Sequence, residues 1–217
     1  PTWDSSANDN YFWSEAKGYD VVGTFDGVDD YVEVDAAKTQ LSVASDHSGT
    51  IIFRFDETTT IQSLFASSIG SDNRFGVSIQ SDVLRIGSLT GGVWTSKSAS
   101  LADTEWHTIT WSYDSDTHTM TAYLDSVEMV GSSLPATSPV VGTDIGQKTN
   151  STSRLNGQIA KVQIDGGSSW DFTDGSGLTV TDSNGLADGT INGATSDEFW
   201  GGPIIPAASD GTSLIRS

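Results

Sequence analysis

Cysteine is absent from the 217 residues, and methionine occurs only twice. The fold therefore cannot rely on disulfide bonds, and cysteine usage says nothing about the compartment. No run of eighteen apolar residues is present, so the sequence predicts no transmembrane helix. Glutamate is scarce as well, which limits the acid–base chemistry that the chain can offer.

Basic residues are also few. Ten Lys and Arg stand against 29 Asp and Glu, giving a formal net charge of -19 and a pI near 4.1. A surface this acidic repels nucleic acid phosphates and anionic lipids, so we expect neither nucleic acid binding nor membrane insertion. The charge is compatible with divalent-cation binding, a high-salt environment or simple solubility.

What is present indicates a β protein. The chain contains 23 glycines and many Ser and Thr residues, which suits short strands joined by tight turns. The longest predicted strand pair is Glu105–Tyr113 with His118–Leu124, and in its first strand Ile109, Trp111 and Tyr113 share one face. Trp106 falls on the opposite phase, where a loop or tail would have to cover it. The pattern predicts about twelve to fourteen strands in an all-β, two-sheet antiparallel β-sandwich.

Three segments carry a family resemblance. They are Trp170–Ala194 (WDFTDGSGLTVTDSNGLADGTINGA), Phe25–Val34 (FDGVDDYVEV) and Trp106–Asp114 (WHTITWSYD), the last followed by Tyr123–Asp125 and Gly157–Ile159. These segments resemble motifs of the concanavalin A-like, laminin-G-like jelly rolls. The resemblance covers about residues 20 to 195. It implies a jelly-roll fold but no particular activity, because lectins, glycanases, adhesins and structural modules share this fold.

Catalytic patterns are missing, and we predict that the protein is not an enzyme. Glycanases of this fold place three carboxylates at two-residue spacing on one strand, and the nearest approach here, Glu33 and Asp35, lacks the third. The histidines, His47, His107 and His118, show no metal-ligand spacing. His107 is in phase with Ile109, so we interpret it as a satisfied histidine of the core or the sheet edge.

Calcium is the cofactor that the loops favour, because it binds through clustered oxygen ligands. The leading candidate ligands are Asp182, Asn184 and Asp188, and the alternative cluster is Asp26, Asp29 and Asp30. A third cluster contains Asp114 and Asp116. The competing interpretation is ordinary turn chemistry, for which Asp, Asn and Gly are equally suited.

Sugar binding would need an exposed aromatic side chain beside polar groups. Trp94, between Gly91-Gly92 and Thr95-Ser96, is the best candidate ligand-binding residue. The alternative is a half-buried aromatic at a sheet edge.

The two ends differ from the middle, and we divide the chain into an N-terminal aromatic arm (1–15), a jelly-roll domain (16–195) and a C-terminal tail (196–217). Aromatic and aliphatic side chains in such arms are costly to leave in water, at about 25 cal/mol per Å² of apolar surface. The arms are predicted either to pack on their own domain or to dock on neighbouring subunits. The candidate assembly contacts are Trp3, Tyr11, Phe12, Trp13, Phe199, Trp200, Ile204 and Ile205.

The N-terminus shows no signal-peptide pattern, and a chain that begins with Pro1 fits removal of an initiator methionine. This favours a complete protein made without a secretion signal over a fragment of a longer secreted adhesin. Together with the absence of cysteine, the aromatic ends and the acidic composition rich in Ser, Thr and Gly, this predicts a virion structural protein on the virion surface, such as a capsid decoration, fibre or tail-associated protein. Its partners would be other virion proteins or copies of itself, in a homo-oligomer or lattice. The alternative is a calcium-dependent carbohydrate-binding adhesin module of a secreted or cell-surface protein, with glycans as partners.

Overall fold

The computed structural model describes residues 21–34, 37, 40–41, 45–69, 73–90, 93–132, 143–147 and 153–200. Over these residues the chain forms two antiparallel sheets packed face to face. The first sheet has seven strands: β1 (Gly23–Asp26), β3 (His47–Phe55), β8 (His107–Asp114), β9 (Thr119–Leu124), β10 (Val127–Glu128), β13 (Asn156–Ile164) and β14 (Ser169–Trp170). Their order is β1-β13-β3-β8-β9-β10, with β14 also paired to β13.

The second sheet has nine strands: β2 (Tyr31–Glu33), β4 (Gln62–Ile69), β5 (Asn73–Gln80), β6 (Val83–Thr90), β7 (Val93–Ser100), β11 (Val130–Gly131), β12 (Thr143–Ile145), β15 (Thr179–Val180) and β16 (Gly189–Asn192). Their order is β11-β7-β6-β5-β4-β12-β2-β16-β15. The all-β sandwich that the sequence predicts is therefore confirmed. The described residues form sixteen strands, more than the predicted twelve to fourteen, because several strands contain only two or three residues.

The core lies between the two sheets and follows the period of two that the sequence shows. Ile109, Trp111 and Tyr113 are all buried, while Thr108 and Thr110 on the other face of β8 are half-buried and Ser112 is exposed. Gly49 on β3 pairs with Trp111, and a Cβ at Gly49 would lie 2.4 Å from the Trp111 ring. Only glycine leaves room for the indole at this point of the interior.

His107 begins β8 with both ring nitrogens bound to carboxylates. Nδ1 lies 2.6 Å from Asp125 Oδ2, and Nε2 lies 2.7 Å from Asp103 Oδ1. Burial acts to lower the pKa of His107, but the hydrogen bonds and charges of Asp125 and Asp103 outweigh it, so the pKa is raised. The interpretation of His107 as a satisfied, buried histidine agrees with this geometry.

One short helix, α1 (Ser196–Trp200), follows the last strand of the described chain. Thr195 precedes it, and the backbone NH of Thr195 donates to Glu198 Oε2 at 2.8 Å, as in a capping box. Phe199 is fully buried, and its ring centroid lies 5.1 Å from that of Phe25. The Trp200 indole NH donates to the carbonyl oxygen of Gly177 at 2.9 Å. These two aromatic residues, which the sequence places in the C-terminal tail, therefore pack on their own domain.

Candidate functional site

The loop between β1 and β2 brings three carboxylates together where the chain crosses from one sheet to the other. One ligand oxygen from each of Asp26, Asp29 and Asp30 lies within 4.8 Å of the others. Asp26 and Asp29 are exposed, and Asp30 is only 5% exposed. This is the alternative cluster of the sequence analysis, and an exposed acidic triad of this kind could bind a metal ion.

The loop's own hydrogen bonds position these carboxylates. Asp26 Oδ1 accepts a hydrogen bond from the backbone NH of Val28 at 2.7 Å, which is an Asx turn. Asp30 Oδ2 accepts one from the backbone NH of Asp26 at 3.0 Å. Gly193, at the end of β16, packs against the loop with a φ of +90°, and a Cβ there would lie 2.3 Å from the Asp29 carbonyl oxygen. The close approach of these two segments thus depends on glycine.

The neighbouring negative charges of the triad change the pKa of Asp30. Burial, together with the charges of Asp26, Asp29 and Glu198, raises the pKa of Asp30 to about 6, although the hydrogen bond from the Asp26 NH opposes this. A cation placed among the three oxygens would relieve this repulsion, because an opposite charge favours the ionised form of a carboxyl group.

Arg154 connects the triad to an aromatic side chain. Its Nη1 donates to the carbonyl oxygen of Asp29 at 2.7 Å, and its Cζ lies 5.4 Å from the centroid of the Tyr31 ring. This is a cation–π contact on one side of the ring. Burial and the nearby charges of Asp144 and Glu33 raise the pKa of Tyr31, and Arg154 acts in the opposite direction.

Strand register surrounds Tyr31 with polar side chains on the outer face of the nine-stranded sheet. Glu33 pairs with Asp144 on one side and Thr190 on the other, and Tyr31 itself pairs with Asn192. Paired residues project from the same face of a sheet. The amide of Gln147 donates to Asp144 Oδ2 at 3.2 Å. We define the Tyr31 patch as Tyr31, Glu33, Asp144, Gln147, Arg154, Thr190 and Asn192.

The loop from Asp182 to Asp188, the leading calcium candidate from the sequence, differs from the triad in the hydrogen bonds that its carboxylate accepts. The Asp182 carboxylate is 2% exposed and accepts four backbone NH bonds. The donors are Ser169 (2.8 Å), Asn184 (3.0 Å), Leu186 (3.0 Å) and Ala187 (2.8 Å). Burial acts to raise the pKa of Asp182, but these hydrogen bonds outweigh it and lower the pKa.

The other two predicted ligands of this loop are also engaged in the turn. Asp188 Oδ1 accepts from the backbone NH of Asp182 at 2.9 Å, and the Asn184 amide donates to the carbonyl oxygen of Gly167 at 2.6 Å. Turn chemistry accounts for all of these contacts. Calcium at Asp182, Asn184 and Asp188 stays a prediction, and the triad at Asp26 is the cluster whose carboxylates converge.

The remaining predicted site residues are the candidate sugar-binding residue and the candidate assembly contacts. Trp94 lies in β7 opposite Leu89, and its side chain falls outside the described part of the structure. The predicted assembly contacts Trp3, Tyr11, Phe12, Trp13, Ile204 and Ile205 lie outside the described residues. Phe199 and Trp200 line the interior, so these two candidate assembly contacts are buried in their own domain.

The Tyr31 patch itself is not predicted by sequence reasoning. Tyr31 directly follows the acidic cluster in the FDGVDDYV segment, so its proximity to the triad could have been read from the chain. Arg154 is 125 residues from Asp29, and it carries no local signal. Only the pairing of the strands brings it to this face.

Comparison with protein families identifies the class. The family model described as the concanavalin A-like lectin/glucanases superfamily matches residues 26–168, well over half of the chain. The protein therefore belongs to this family, as its sequence motifs suggest. A search of curated proteins found no match.

Solved structures agree on the fold. A proposed carbohydrate-binding protein from Bacteroides ovatus is 14% identical with a TM-score of 0.61, covering 81% of this chain and 58% of that one. The CBM40 domain of the Ruminococcus gnavus IT-sialidase, bound to α2,3-sialyllactose, is 13% identical with a TM-score of 0.50, covering 68% and 92%. The NanB sialidase of Streptococcus pneumoniae is 14% identical with a TM-score of 0.54, covering 65% and 25%. The chain thus spans little more than half of the Bacteroides protein and a quarter of the sialidase.

No helix among the described residues is long and apolar enough to cross a membrane. The similar structures described above are bacterial carbohydrate-binding and sialidase proteins and not virion proteins. Of the two functions that the sequence predicts, the comparisons favour the carbohydrate-binding module over the virion structural protein.

Proposed function

We propose that this protein is a non-enzymatic, calcium-dependent glycan-binding domain of an extracellular or cell-surface protein. The observation that carries the proposal is the position of the Tyr31 patch directly beside the acidic triad, joined to it by Arg154. An aromatic ring with fixed polar groups around it is the usual composition of a sugar-binding surface. The carbohydrate-binding neighbours of the fold support the same function.

Each part of the patch has a distinct role in this proposal. The Tyr31 ring offers an apolar surface on which a sugar ring can stack. The exposed Glu33 accepts hydrogen bonds from sugar hydroxyls, and the amide of Asn192 can donate or accept. Asp144 is only 5% exposed and accepts from the Gln147 amide, so it supports the patch from below. Arg154 holds the Tyr31 ring in place from one side and keeps the Asp29 carbonyl oxygen fixed.

In this proposal calcium binds at Asp26, Asp29 and Asp30. Three carboxylates and the carbonyl oxygens of the loop are the type of ligand that calcium selects. When bound, the ion supplies positive charge next to the patch and rigidifies the loop that leads into β2. Because Tyr31 directly follows this loop, bound calcium also fixes the position of Tyr31. Glycan binding therefore depends on calcium.

The glycan site is tested by replacing its aromatic residue. We expect Tyr31→Ala to weaken glycan binding at least about ten-fold, because loss of one stacking ring in a small site removes a dominant contact. The measurement is a glycan-array screen in calcium and in EDTA, followed by titration calorimetry with the best ligand. Tyr123→Ala is the matched control, because Tyr123 is 38% exposed on the other sheet. Equal loss in both variants, or binding unaffected by Tyr31→Ala, contradicts the proposed site.

The calcium site is tested separately with Asp29→Asn. This change removes one charge while Asp26 and Asp30 keep the hydrogen bonds that shape the loop. We expect the wild-type protein to gain thermal stability in calcium relative to EDTA, because a ligand bound to the folded state stabilises it by about 2.7 kcal/mol at one hundred times its Kd. The variant should lose most of this gain.

Glu128→Gln is the control for the calcium measurement, because Glu128 is an exposed acid on β10, at the opposite edge of the seven-stranded sheet from β1 and the triad. It should retain the full calcium effect. If the wild-type protein has the same melting temperature in calcium and in EDTA, the triad does not bind calcium. The glycan site is then tested by Tyr31→Ala alone.

A further inference from the structure

The Tyr31 patch and the acidic triad form one continuous surface. Tyr31 directly follows Asp30 in the chain, and it pairs with Asn192 on the neighbouring strand. The next residue, Gly193, lies so close to the triad loop that a Cβ there would be 2.3 Å from the Asp29 carbonyl oxygen. A ligand stacked on the Tyr31 ring therefore experiences the charges of the triad as well as those of the patch.

The charges on this surface are almost all negative. The carboxyl groups whose charges act on Tyr31 or on Asp30 are Asp26, Asp29, Glu33, Asp144 and Glu198, and Asp30 is itself a sixth. Among the described residues, Arg154 is the cation in contact with Tyr31 and the triad loop. Acidic groups therefore outnumber basic groups here even more strongly than in the whole chain, which has 29 acidic and ten basic residues.

Arg154 is already engaged within the domain. Its Nη1 donates to the carbonyl oxygen of Asp29 at 2.7 Å, and its guanidinium lies against the Tyr31 ring. A guanidinium binds a carboxylate most strongly through two parallel N–H bonds, and here one of the two terminal nitrogens is committed to Asp29. Arg154 is thus poorly placed to hold an anionic ligand.

Calcium binding does not reverse the sign of this surface. In the proposed site the ion brings two positive charges to three carboxylates, so the ionised triad keeps a net negative charge. Glu33, two residues from Tyr31 on the same face of β2, is exposed and lies outside the triad. Calcium therefore weakens the repulsion of an anionic ligand without turning it into attraction.

An uncharged sugar satisfies the groups of the patch. Its C–H face stacks on the Tyr31 ring, and its hydroxyl groups donate to the Glu33 carboxylate, which can only accept. The Asn192 amide completes the set as a donor or an acceptor. A sugar carboxylate also only accepts hydrogen bonds, so it cannot bond to Glu33 and is repelled by it.

We propose that the Tyr31 patch selects uncharged glycans, and that Glu33 is the residue that excludes sialic acids and uronic acids. This inference rests on the proposed glycan-binding function and names the ligand class of that site. Like charges that face each other across a binding surface disfavour the wrong partner, so the specificity arises from repulsion as well as from contacts.

The test compares glycans that differ by a single acidic sugar, on an array in calcium. Lactose and N-acetyllactosamine are presented with and without a terminal sialic acid, and xylan oligosaccharides with and without a glucuronic acid branch. Each further neutral glycan that binds is compared with its sialylated or uronic acid-bearing form. We expect the neutral member of each pair to bind at least about ten-fold more tightly. This ratio should fall as salt is added, because salt screens exposed charges.

The outcomes separate this inference from the function on which it rests. An acidic member that binds as tightly as its neutral partner, or more tightly, overturns the inference and leaves the glycan-binding function standing. No binding to any glycan of the array overturns both.

Glu33→Gln tests the residue to which the discrimination is assigned. Glutamine keeps the size of the side chain and an acceptor oxygen but removes the charge, so the affinity for the acidic member relative to the neutral one should rise at least about three-fold. Glu128→Gln is the matched control, because it removes the same charge at the far edge of the other sheet and should leave the ratio unchanged. An unchanged ratio in a folded Glu33→Gln protein, or an equal rise in both variants, overturns the proposal.

Discussion

Replacing Asp182 with alanine is expected to lower the free energy of unfolding by about 4 kcal/mol. The carboxylate accepts backbone hydrogen bonds from Ser169, Asn184, Leu186 and Ala187, and it is 2% exposed. Each buried donor left without a partner costs about 1–3 kcal/mol, and water that enters the space recovers part of this. Urea unfolding of both proteins measures the difference.

The pH dependence of this effect follows from the lowered pKa of Asp182. A carboxyl group with a depressed pKa in the folded state contributes stability above its unfolded pKa of about 3.9, and this contribution is lost as the pH falls through the folded value. The difference between the wild type and Asp182→Ala should therefore be constant near neutral pH and shrink in acid.

Asp188→Ala is the control for this prediction, because Asp188 accepts a single backbone bond, from the Asp182 NH. It should cost about 1 kcal/mol. A loss below 1 kcal/mol in Asp182→Ala contradicts the turn interpretation. Should Asp182→Ala abolish the calcium effect while Asp29→Asn preserves it, the ion binds in the Asp182 loop and not at the triad.

Replacing His107 with leucine is the second large change, with an expected loss of about 2–3 kcal/mol below pH 6. The imidazolium between Asp103 and Asp125 joins the loop before β8 to the turn after β9. Hydrogen bonds to charged partners contribute about 1.5–3 kcal/mol, and we discount the Asp103 partner because that side chain is 57% exposed. Leucine retains the apolar contact with Phe53, so the measurement isolates the polar contribution.

The stability that His107 contributes changes with pH in the opposite direction to that of Asp182. The pKa of His107 is raised in the folded state, so the stability that it contributes is complete below the unfolded pKa of about 6.5 and is lost as the pH rises through the folded value. Chemical unfolding from pH 5 to pH 9 should show the wild-type advantage decreasing with pH.

His118→Asn is the control for His107. The His118 ring has a neutral neighbour, the Tyr113 hydroxyl at 3.0 Å, and asparagine tolerates the φ of +52° at this position. This variant retains His107 between its two carboxylates, so its stability should depend on pH as that of the wild type does. A His107→Leu protein whose stability deficit grows with rising pH would contradict the ionic interpretation.

The sequence predicts the layers of this fold better than it predicts the site. Alternation along β8 correctly separates the buried Trp111 from Trp106, because a strand with one solvent face leaves a period of two in the residues. The hairpin between β5 and β6 is a local feature of the same kind, because its turn at Ser81 and Asp82, both at positive φ, joins strands that are adjacent in sequence. These features are local, so neighbouring residues are sufficient to predict them.

Loop composition cannot distinguish the two acidic clusters. Asp182 and Asp26 both lie in loops rich in Asp and Gly, yet one carboxylate accepts backbone bonds in the interior and the other converges with two further carboxylates. The difference arises from which backbone NH groups surround each side chain, and this depends on segments far apart in sequence. Arg154 cannot be predicted from the sequence for the same reason, because its contact with Tyr31 exists only after the strands are paired.

The chain passes from one sheet to the other through β10 and β11, and the shortness of these two strands affects how the protein associates at high concentration. Each of these edge strands has two residues, and Met129 between them is buried, with its NH bound to the Ala122 carbonyl oxygen at 2.8 Å. A long edge strand offers a row of unpaired backbone groups to which another chain can add, whereas such short edges offer almost none. At these two edges, therefore, neighbouring copies of the domain find little backbone with which to extend a sheet from one molecule to the next.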